Sequence, residues 1–402
     1  MAVSSVNGVG QWHSFEKQFN TQIQAVLEIV DNGIDAATIT SHLRAQLQTR
    51  HSQRRASFEP QILRVFMDSH SKGLIVQNSC LKEVAPMKEV LMLHNSKKQA
   101  TNQVGEFGVG INQACANVSD LSFILTKSWI ASEGNHRLEL GILSKDLQTE
   151  NAFVAPSMSF ESDDDILEML NEAAAKQKAT IGKALKQYGI EPLAAHFESL
   201  LMNRKQDHMF VVLFARFSSS DQISFSDQAS VLVRDLQKYN EGRSKNLILQ
   251  LKDELPRRYL HIDPNEIEVF VEESPSSSAK DGASSTKKAN GDPILFTYWQ
   301  SRLVELTQFD LYLDRTKNFT WETWLTPCPT KKHIRIFLGF DALRLSASSR
   351  SAECSLHLHS RQSGRLIKSE SDARRYLNLV TSGSKYCQGL TILIDDVHGA
   401  LP

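Results

Sequence analysis

An α+β fold in two domains is the class this sequence predicts, and three observations predict it. The chain has 402 residues, more than one compact core of ordinary size needs. Its first half mixes helical periodicity with short apolar runs of strand length. After a strongly apolar run at Phe210–Phe217, a second set of strand-like runs resumes, enough for a sheet of its own.

The elements follow in order. Ile23, Val26, Leu27, Val30 and Ile34 recur at helical spacing, which predicts a helix from about Phe19 into the mid-forties. The basic stretch Arg50, Arg54, Arg55 comes next. Ile62–Met67 and Leu74–Val76 read as strands joined by a turn at Ser71-Lys-Gly. Met87–Leu93 reads as a short helix, Ser96–Gln103 as a loop, and a helix opens after Gly108. Leu121–Leu125 and Leu138–Leu143 read as strands. From Asp163 to about Asn203 the pattern is helical, broken near Tyr188-Gly-Ile-Glu-Pro192. These patterns place one domain over 1–217, with a helical insert at 151–207, and a second over 218–402. The second domain opens with a helix from Ser226 to Leu251. It carries a Ser/Lys/Ala/Gly-rich loop from Pro275 to Gly291, and has strands at Ile294–Trp299, Ile334–Leu338, Ser355–His359 and Leu390–Ile394.

Composition excludes several classes. Net charge is −1, so no global field favours nucleic acid or an anionic membrane. The five cysteines form no C-x-x-C pair, which argues for reduced thiols rather than a disulfide framework or a zinc site. No signal peptide and no apolar run of membrane-spanning length is visible. The reading is a nuclear or cytoplasmic protein with no membrane partner.

Two stretches carry chemistry. In Leu27-Glu-Ile-Val-Asp-Asn-Gly-Ile-Asp35-Ala36, the residues Glu28, Asn32 and Asp35 are spaced four and three apart and share one helix face. An amphipathic helix with a solvated polar face explains that spacing too, and Asp31-Asn-Gly33 is also a turn signal. Asn and Gly inside a helix are nevertheless odd choices, since Gly costs about 1 kcal/mol relative to Ala there. They point to a backbone or ligand that must come close. Glu28 has the chemistry to polarise a water, and the amide oxygen of Asn32 suits Mg²⁺, a cation that takes oxygen ligands. The second stretch, Gly105-Glu-Phe-Gly108-Val109-Gly110, precedes a plausible first helical turn. There, bare N–H groups and the helix dipole form an anion site. It has no Gly-Lys-Ser/Thr ending and is not a G-x-G-x-x-G, so neither a P-loop nor a Rossmann site fits. Lys97 and Lys98 just upstream suit phosphate contact or a solvated loop equally.

Together these residues resemble the GHKL ATPase superfamily of gyrase, ninety-kilodalton heat-shock chaperones, histidine kinases and MutL. Met87-Lys-Glu-Val-Leu-Met-Leu-His-Asn-Ser-Lys-Lys98, Tyr298-Trp-Gln-Ser-Arg-Leu303, Ser360-Arg-Gln-Ser-Gly-Arg-Leu-Ile-Lys368 and Tyr386-Cys-Gln-Gly-Leu-Thr-Ile-Leu-Ile-Asp-Asp396 are similar to MORC-type ATPases and, more closely, to chromatin ATPases bearing an SMC-type hinge. The resemblance implies a Bergerat-fold α/β sandwich followed by a transducer-like domain, with ATP and Mg²⁺ as cofactors. It implies Glu28 as the water-activating base and Asn32 as the metal ligand. Asp35, Gln77, Asn78, Lys97, Lys98, Gly105, Gly108, Val109 and Gly110 are then the nucleotide contacts. It further implies an ATP-dependent homodimer, with chromatin or nucleic acid engaged through regions outside this chain.

The chain departs from the family pattern in three places. The Asp-x-Gly-x-Gly motif, whose Asp receives the adenine amino group, is matched by Gln77-Asn78-Ser79-Cys80-Leu81. Gln77 stands in the Asp place, and a neutral acceptor contributes about 1 kcal/mol less than a charged one. The Gly-Thr motif is matched by His208-Met209. The transducer Lys-Gln-Asp motif is expected just past Asp395-Asp-Val-His-Gly-Ala-Leu-Pro402, which reads as a chain cut short of it or a protein lacking it. A pseudo-ATPase interaction module therefore stands as the alternative. Elsewhere, Asp68 is a second, poorer match for the adenine acceptor. His357-x-His359 alternates on one strand face, expected to be exposed, with no third metal ligand evident.

Overall fold

The computed structural model describes residues 2–4, 6–19, 21–37, 60–71, 73–93, 110–176, 181–217, 247–260, 262, 264–272, 292–314, 331–341, 355–360, 365–370 and 390–396. In chain order these form β1 (Ala2–Ser4), α1 (Gly8–Glu16), α2 (Gln22–Ala37), β2 (Gln61–Met67), β3 (Leu74–Ser79), α3 (Met87–Leu91), α4 (Gly110–Val118), β4 (Ser119–Ile130) and β5 (Asn135–Ser144). A 3-10 turn at Lys145–Leu147 leads to β6 (Phe153–Ala155), β7 (Ser157–Glu161), α5 (Ile166–Lys176), α6 (Ile181–Tyr188), α7 (Ile190–Met202), β8 (His208–Phe217), α8 (Leu247–Arg258) and β9 (Ile267–Glu272). The rest are α9 (Tyr298–Arg302), β10 (Leu303–Asp314), β11 (Lys331–Asp341), β12 (Ser355–Ser360), β13 (Arg365–Glu370) and β14 (Leu390–Asp396). The α+β class expected from the sequence is the class observed.

The chain forms two compact units. The first takes in residues 1–99, 104–252 and 264–293, and so extends well past Phe217. Its seven-stranded sheet runs β7-β5-β4-β8-β3-β2-β9. Every pairing is antiparallel except β2 with β9, so the sheet is mixed and β9 belongs to it despite its distance in sequence. A separate pair joins β1 to β6.

Strand alternation sorts the sheet into two faces. Ile75 of β3, Leu121, Phe123 and Leu125 of β4, Leu138, Leu140 and Ile142 of β5, and Met209, Val211 and Leu213 of β8 all lie on one face. Ile166, Leu170, Leu185, Leu193, Phe197 and Leu200 of α5, α6 and α7 close over them in the same buried cluster. The helices expected from Asp163 to about Asn203 are the cover of this face, whereas the start of the 151–207 stretch expected to be helical forms β6 and β7, the latter an edge strand of the sheet. The cover divides at Gly189, whose φ of +112° suits a residue without Cβ. The other face carries α2 and α4, with α1 packed on α4.

Two polar contacts fasten the insert. Lys127 on β4 is fully buried, and its Nζ donates to the carbonyls of Leu200 (2.8 Å) and Asn203 (2.7 Å) at the end of α7. Those carbonyls have no helical partner, so the ammonium caps the helix. Burial lowers the Lys127 pKa to about 8, against the opposing pull of Asp207. Asp68, at the end of β2 and 3% exposed, accepts from the backbone N–H of Ser71 (2.8 Å), the Ser71 hydroxyl (2.6 Å) and the Tyr188 hydroxyl (3.1 Å). Tyr188 Oη pairs with His196 Nε2 at 2.7 Å. Because the tyrosine donates to an ionised carboxylate, His196 must be the donor to it. Burial pushes the Asp68 carboxyl up, but the nearby His196 ring and the hydrogen bonds from Ser71 outweigh it and hold Asp68 well below the usual range.

The second unit takes in residues 100–103, 253–263 and 294–402. Its five-stranded sheet runs β10-β11-β14-β12-β13, with β12 and β14 parallel and the other pairs antiparallel. The strand expected at Ile294–Trp299 is not formed: residues 292–297 are irregular and Tyr298–Arg302 is a helix. Tertiary anchors override the local strand preference of Tyr-Trp. Trp299 Nε1 donates to the Arg257 carbonyl (3.1 Å), and Gln300 Nε2 to that of Leu260 (3.1 Å). His357 and His359 do share a face, but it is covered rather than exposed. Trp299 lies 4.7 Å from the His357 ring and 6.2 Å from that of His359, which is fully buried. Among the described residues no group of three His, Cys, Asp or Glu is placed to hold a metal.

Two predictions follow from the fastening contacts. Lys127→Ala leaves two helix-end carbonyls buried and unpaired and is expected to destabilise the fold by about 2–4 kcal/mol. The readout is a lower urea midpoint with unchanged slope. The stability that Asp68 contributes is complete above the usual aspartate pKa of about 4 and is lost as pH falls toward its depressed folded value. Asp68→Asn is therefore expected to be less stable than wild type at pH 7. The gap should shrink in unfolding curves taken below about pH 4.

Candidate functional site

The helix α2 is amphipathic as predicted, and it does not break at Asp31-Asn-Gly33. Thr21 Oγ1 accepts from the Gln24 N–H (3.3 Å) at its start. Ile23, Val26, Leu27, Val30 and Ile34 are all buried. Glu28, Asn32 and Asp35 are half-buried on the opposite flank. Asp31, a carboxylate the sequence reading did not single out, is 2% exposed in the same helix.

Gly33 explains how closely this helix lies on the sheet. A Cβ there would stand 2.6 Å from Leu63 Cδ1 and 3.3 Å from the Cβ and Cγ of Asn78. The unusual mid-helix glycine is thus a close approach of α2 to β2 and β3. The following segment docks on the end of α2 as well, with the Leu81 N–H donating to the Ala36 carbonyl (3.3 Å).

The two sequence stretches meet in space at Gly110, the first residue of α4. A Cβ there would lie 3.1 Å from Glu28 Oε1. The carboxylate expected to act as base therefore sits against the helix start expected to hold phosphate. Asn32 Nδ2 donates to the Glu28 carbonyl (2.9 Å). That bond occupies the amide nitrogen and presents Oδ1 as the atom for a hard cation, so the donor set fits Mg²⁺. Lys97, Lys98, Gly105, Gly108 and Val109 lie outside the described residues.

The sheet separates two neighbours that the sequence reading kept together. Asn78 pairs with Leu63 and Phe210, on the α2 face. Gln77 pairs with Arg64 and Val211, on the face of the α5–α7 cluster. Gln77 therefore faces away from α2, whereas Asn78 packs against it at Gly33. Strand alternation is the signal that finds this, once the facing of one residue is known. Asp68, the poorer candidate acceptor, is held by Ser71 and Tyr188 at the far end of the hairpin. His208 shares the parity of Phe210 and so lies on the α2 face. Burial lowers its pKa, which keeps it neutral. Burial pushes the thiols of Cys80 and Cys115 up to about 12, which makes both inert as nucleophiles.

No protein-family model matches the chain, and no curated protein matches it. Among solved structures, the crystal structure of the ATPase region of Saccharomyces cerevisiae topoisomerase II is similar over 93% of this chain and 72% of that one. The identity is 8% and the TM-score 0.41. The fold itself defines an α+β protein whose mixed sheet carries helices on both faces. No helix among the described residues is long and apolar enough to cross a membrane.

Gly33→Ala forces the new methyl into Leu63 and Asn78 and is expected to cost about 1–3 kcal/mol, read as a lowered denaturant midpoint. Trimming Leu63 to Ala in the same chain should recover part of the Gly33→Ala loss, because the nearest obstructing atom belongs to that side chain.

Proposed function

We propose that this chain is an ATP-binding module of the GHKL class that couples Mg²⁺-dependent hydrolysis to pairing with a second copy, in chromatin organisation or gene silencing. The observation that carries the reading is the meeting of Glu28 with Gly110. Glu28 and Gly110 come from two stretches about eighty residues apart, each weak alone, and their nearness supports phosphoanhydride hydrolysis as the chemistry. Glu28 accepts the proton of the attacking water at its carboxylate. The start of α4, without a Cβ at Gly110, offers backbone N–H groups to phosphate oxygens. Asn32 offers Oδ1 to Mg²⁺, which when bound neutralises charge developing on the phosphates. Asp35, one turn on, borders the same flank, and by the sequence resemblance alone Lys97, Lys98, Gly105, Gly108 and Val109 are the further nucleotide contacts. The chromatin role and the homodimer rest on the sequence resemblance alone.

A pseudo-ATPase is the second reading, favoured by one observation. The family's adenine-binding carboxylate has no counterpart at Gln77 or Asn78, both neutral amides. Calorimetry and turnover separate the two. Wild type is expected to bind ATP with Mg²⁺ and hydrolyse it. Glu28→Ala should bind comparably and turn over at least about 100-fold more slowly. Equal turnover in the two proteins would remove Glu28 from the chemistry, and binding without turnover in wild type would favour the second reading.

A further inference from the structure

We infer that Asn117, at the far end of α4, is a positioning residue for the contact between Glu28 and Gly110, because it fixes how far α4 stands along α2. The inference rests on the nucleotide reading above. The start of α4 meets Glu28 in the middle of α2, where a Cβ on Gly110 would lie 3.1 Å from Glu28 Oε1. The end of α4 meets the residues just ahead of α2. There Asn117, 8% exposed, donates from Nδ2 to the Glu16 carbonyl (2.7 Å) and the Phe19 carbonyl (3.2 Å). Glu16 is the last residue of α1, so its carbonyl has no partner within that helix and takes the amide instead.

Apolar packing alone sets this register loosely. Ala114, Cys115 and Ala116 of α4 are all fully buried and all small. Small side chains make shallow ridges, over which a neighbouring helix can slide with little change in buried area. A directional bond from a buried amide specifies one register, as a single buried Asn does between the helices of a coiled coil. The acceptors are themselves tied to the sheet. The Glu16 carboxylate accepts from Lys145 Nζ (2.7 Å), directly after β5, and from Nε1 of the buried Trp12 (3.1 Å). One chain of contacts thus runs from the sheet through the end of α1 to α4 and ends at Gly110. A misplacement of about 1 Å between a base and its target costs on the order of 100-fold in rate, so Asn117 acts on turnover while touching no ligand.

Steady-state ATP turnover of the full chain with Mg²⁺ tests this with Asn117→Asp, which keeps the size and sets an acceptor against both carbonyls. Its kcat is expected to fall at least about tenfold. Asn117→Ser, too short to reach both carbonyls, should do the same if the aspartate variant folds poorly. In a Glu28→Ala background either substitution should cause no further loss, because the group it places is already gone. A merely structural role would lower turnover by the same factor in both backgrounds, and that result overturns the inference. So does an unchanged kcat in the folded variants. Crystal structures of wild type and variant give a readout that needs no turnover. The separation of Glu28 from Gly110 should change by about 1 Å or more, and an unchanged separation overturns the inference. Absence of turnover in wild type overturns the nucleotide reading, and the structural comparison then decides the inference by itself.

Discussion

The close approach of α2 to the sheet at Gly33 is the constraint on which the candidate site depends. A helix carrying any side chain at that position would have to stand off from Leu63 and Asn78. With glycine there, the apolar stripe of α2 buries against β2 and β3. Glu28, Asn32 and Asp35 are left half-buried on the far flank, neither lost in the core nor fully solvated. The conformational cost of a mid-helix glycine, about 1 kcal/mol, is small against the burial of five large aliphatic side chains at roughly 1.5–3 kcal/mol each. The helix keeps the glycine because packing outweighs propensity.

Gly110 plays the matching part on α4. It lets a second helix begin directly against the carboxylate of Glu28, which suits an acidic group, since helix starts carry positive potential. Two glycines thus set the distances of the site, one between helix and sheet and one between helix and helix. Neither has a positive φ. Their role is absence of bulk, not backbone freedom.

The opposite face of the sheet is organised differently. It is covered by the helices α5–α7 through a large apolar cluster, and two of its polar residues tie the cover down. Lys127 caps α7, and Asp68 collects donors from Ser71 and Tyr188. A charge this deeply buried is tolerated only when its hydrogen-bonding capacity is met. Asp68 is thereby explained as a fastening between the hairpin turn and the insert, which accounts for its position without a ligand. The face that holds the insert and the face that holds the site share strands but not chemistry.

The sequence by itself determined the class of fold, the helix α2 with its buried stripe, and most strands. Those follow from periodicity, which is local. It also showed a carboxylate, a carboxamide and a glycine turn of the types that suit phosphate chemistry. Strand alternation made Gln77 and Asn78 face opposite ways, but only tertiary structure decided which of the two faces α2, because alternation has no absolute sign until a strand is paired and covered. The helix at Tyr298–Arg302 and the burial of His357 and His359 were also tertiary outcomes. Trp299 is anchored by the Arg257 carbonyl from some forty residues upstream, and no local pattern encodes that partner. The contact between Glu28 and Gly110 is of the same kind. Each residue was legible alone, and their meeting was settled by the packing of α2 on α4.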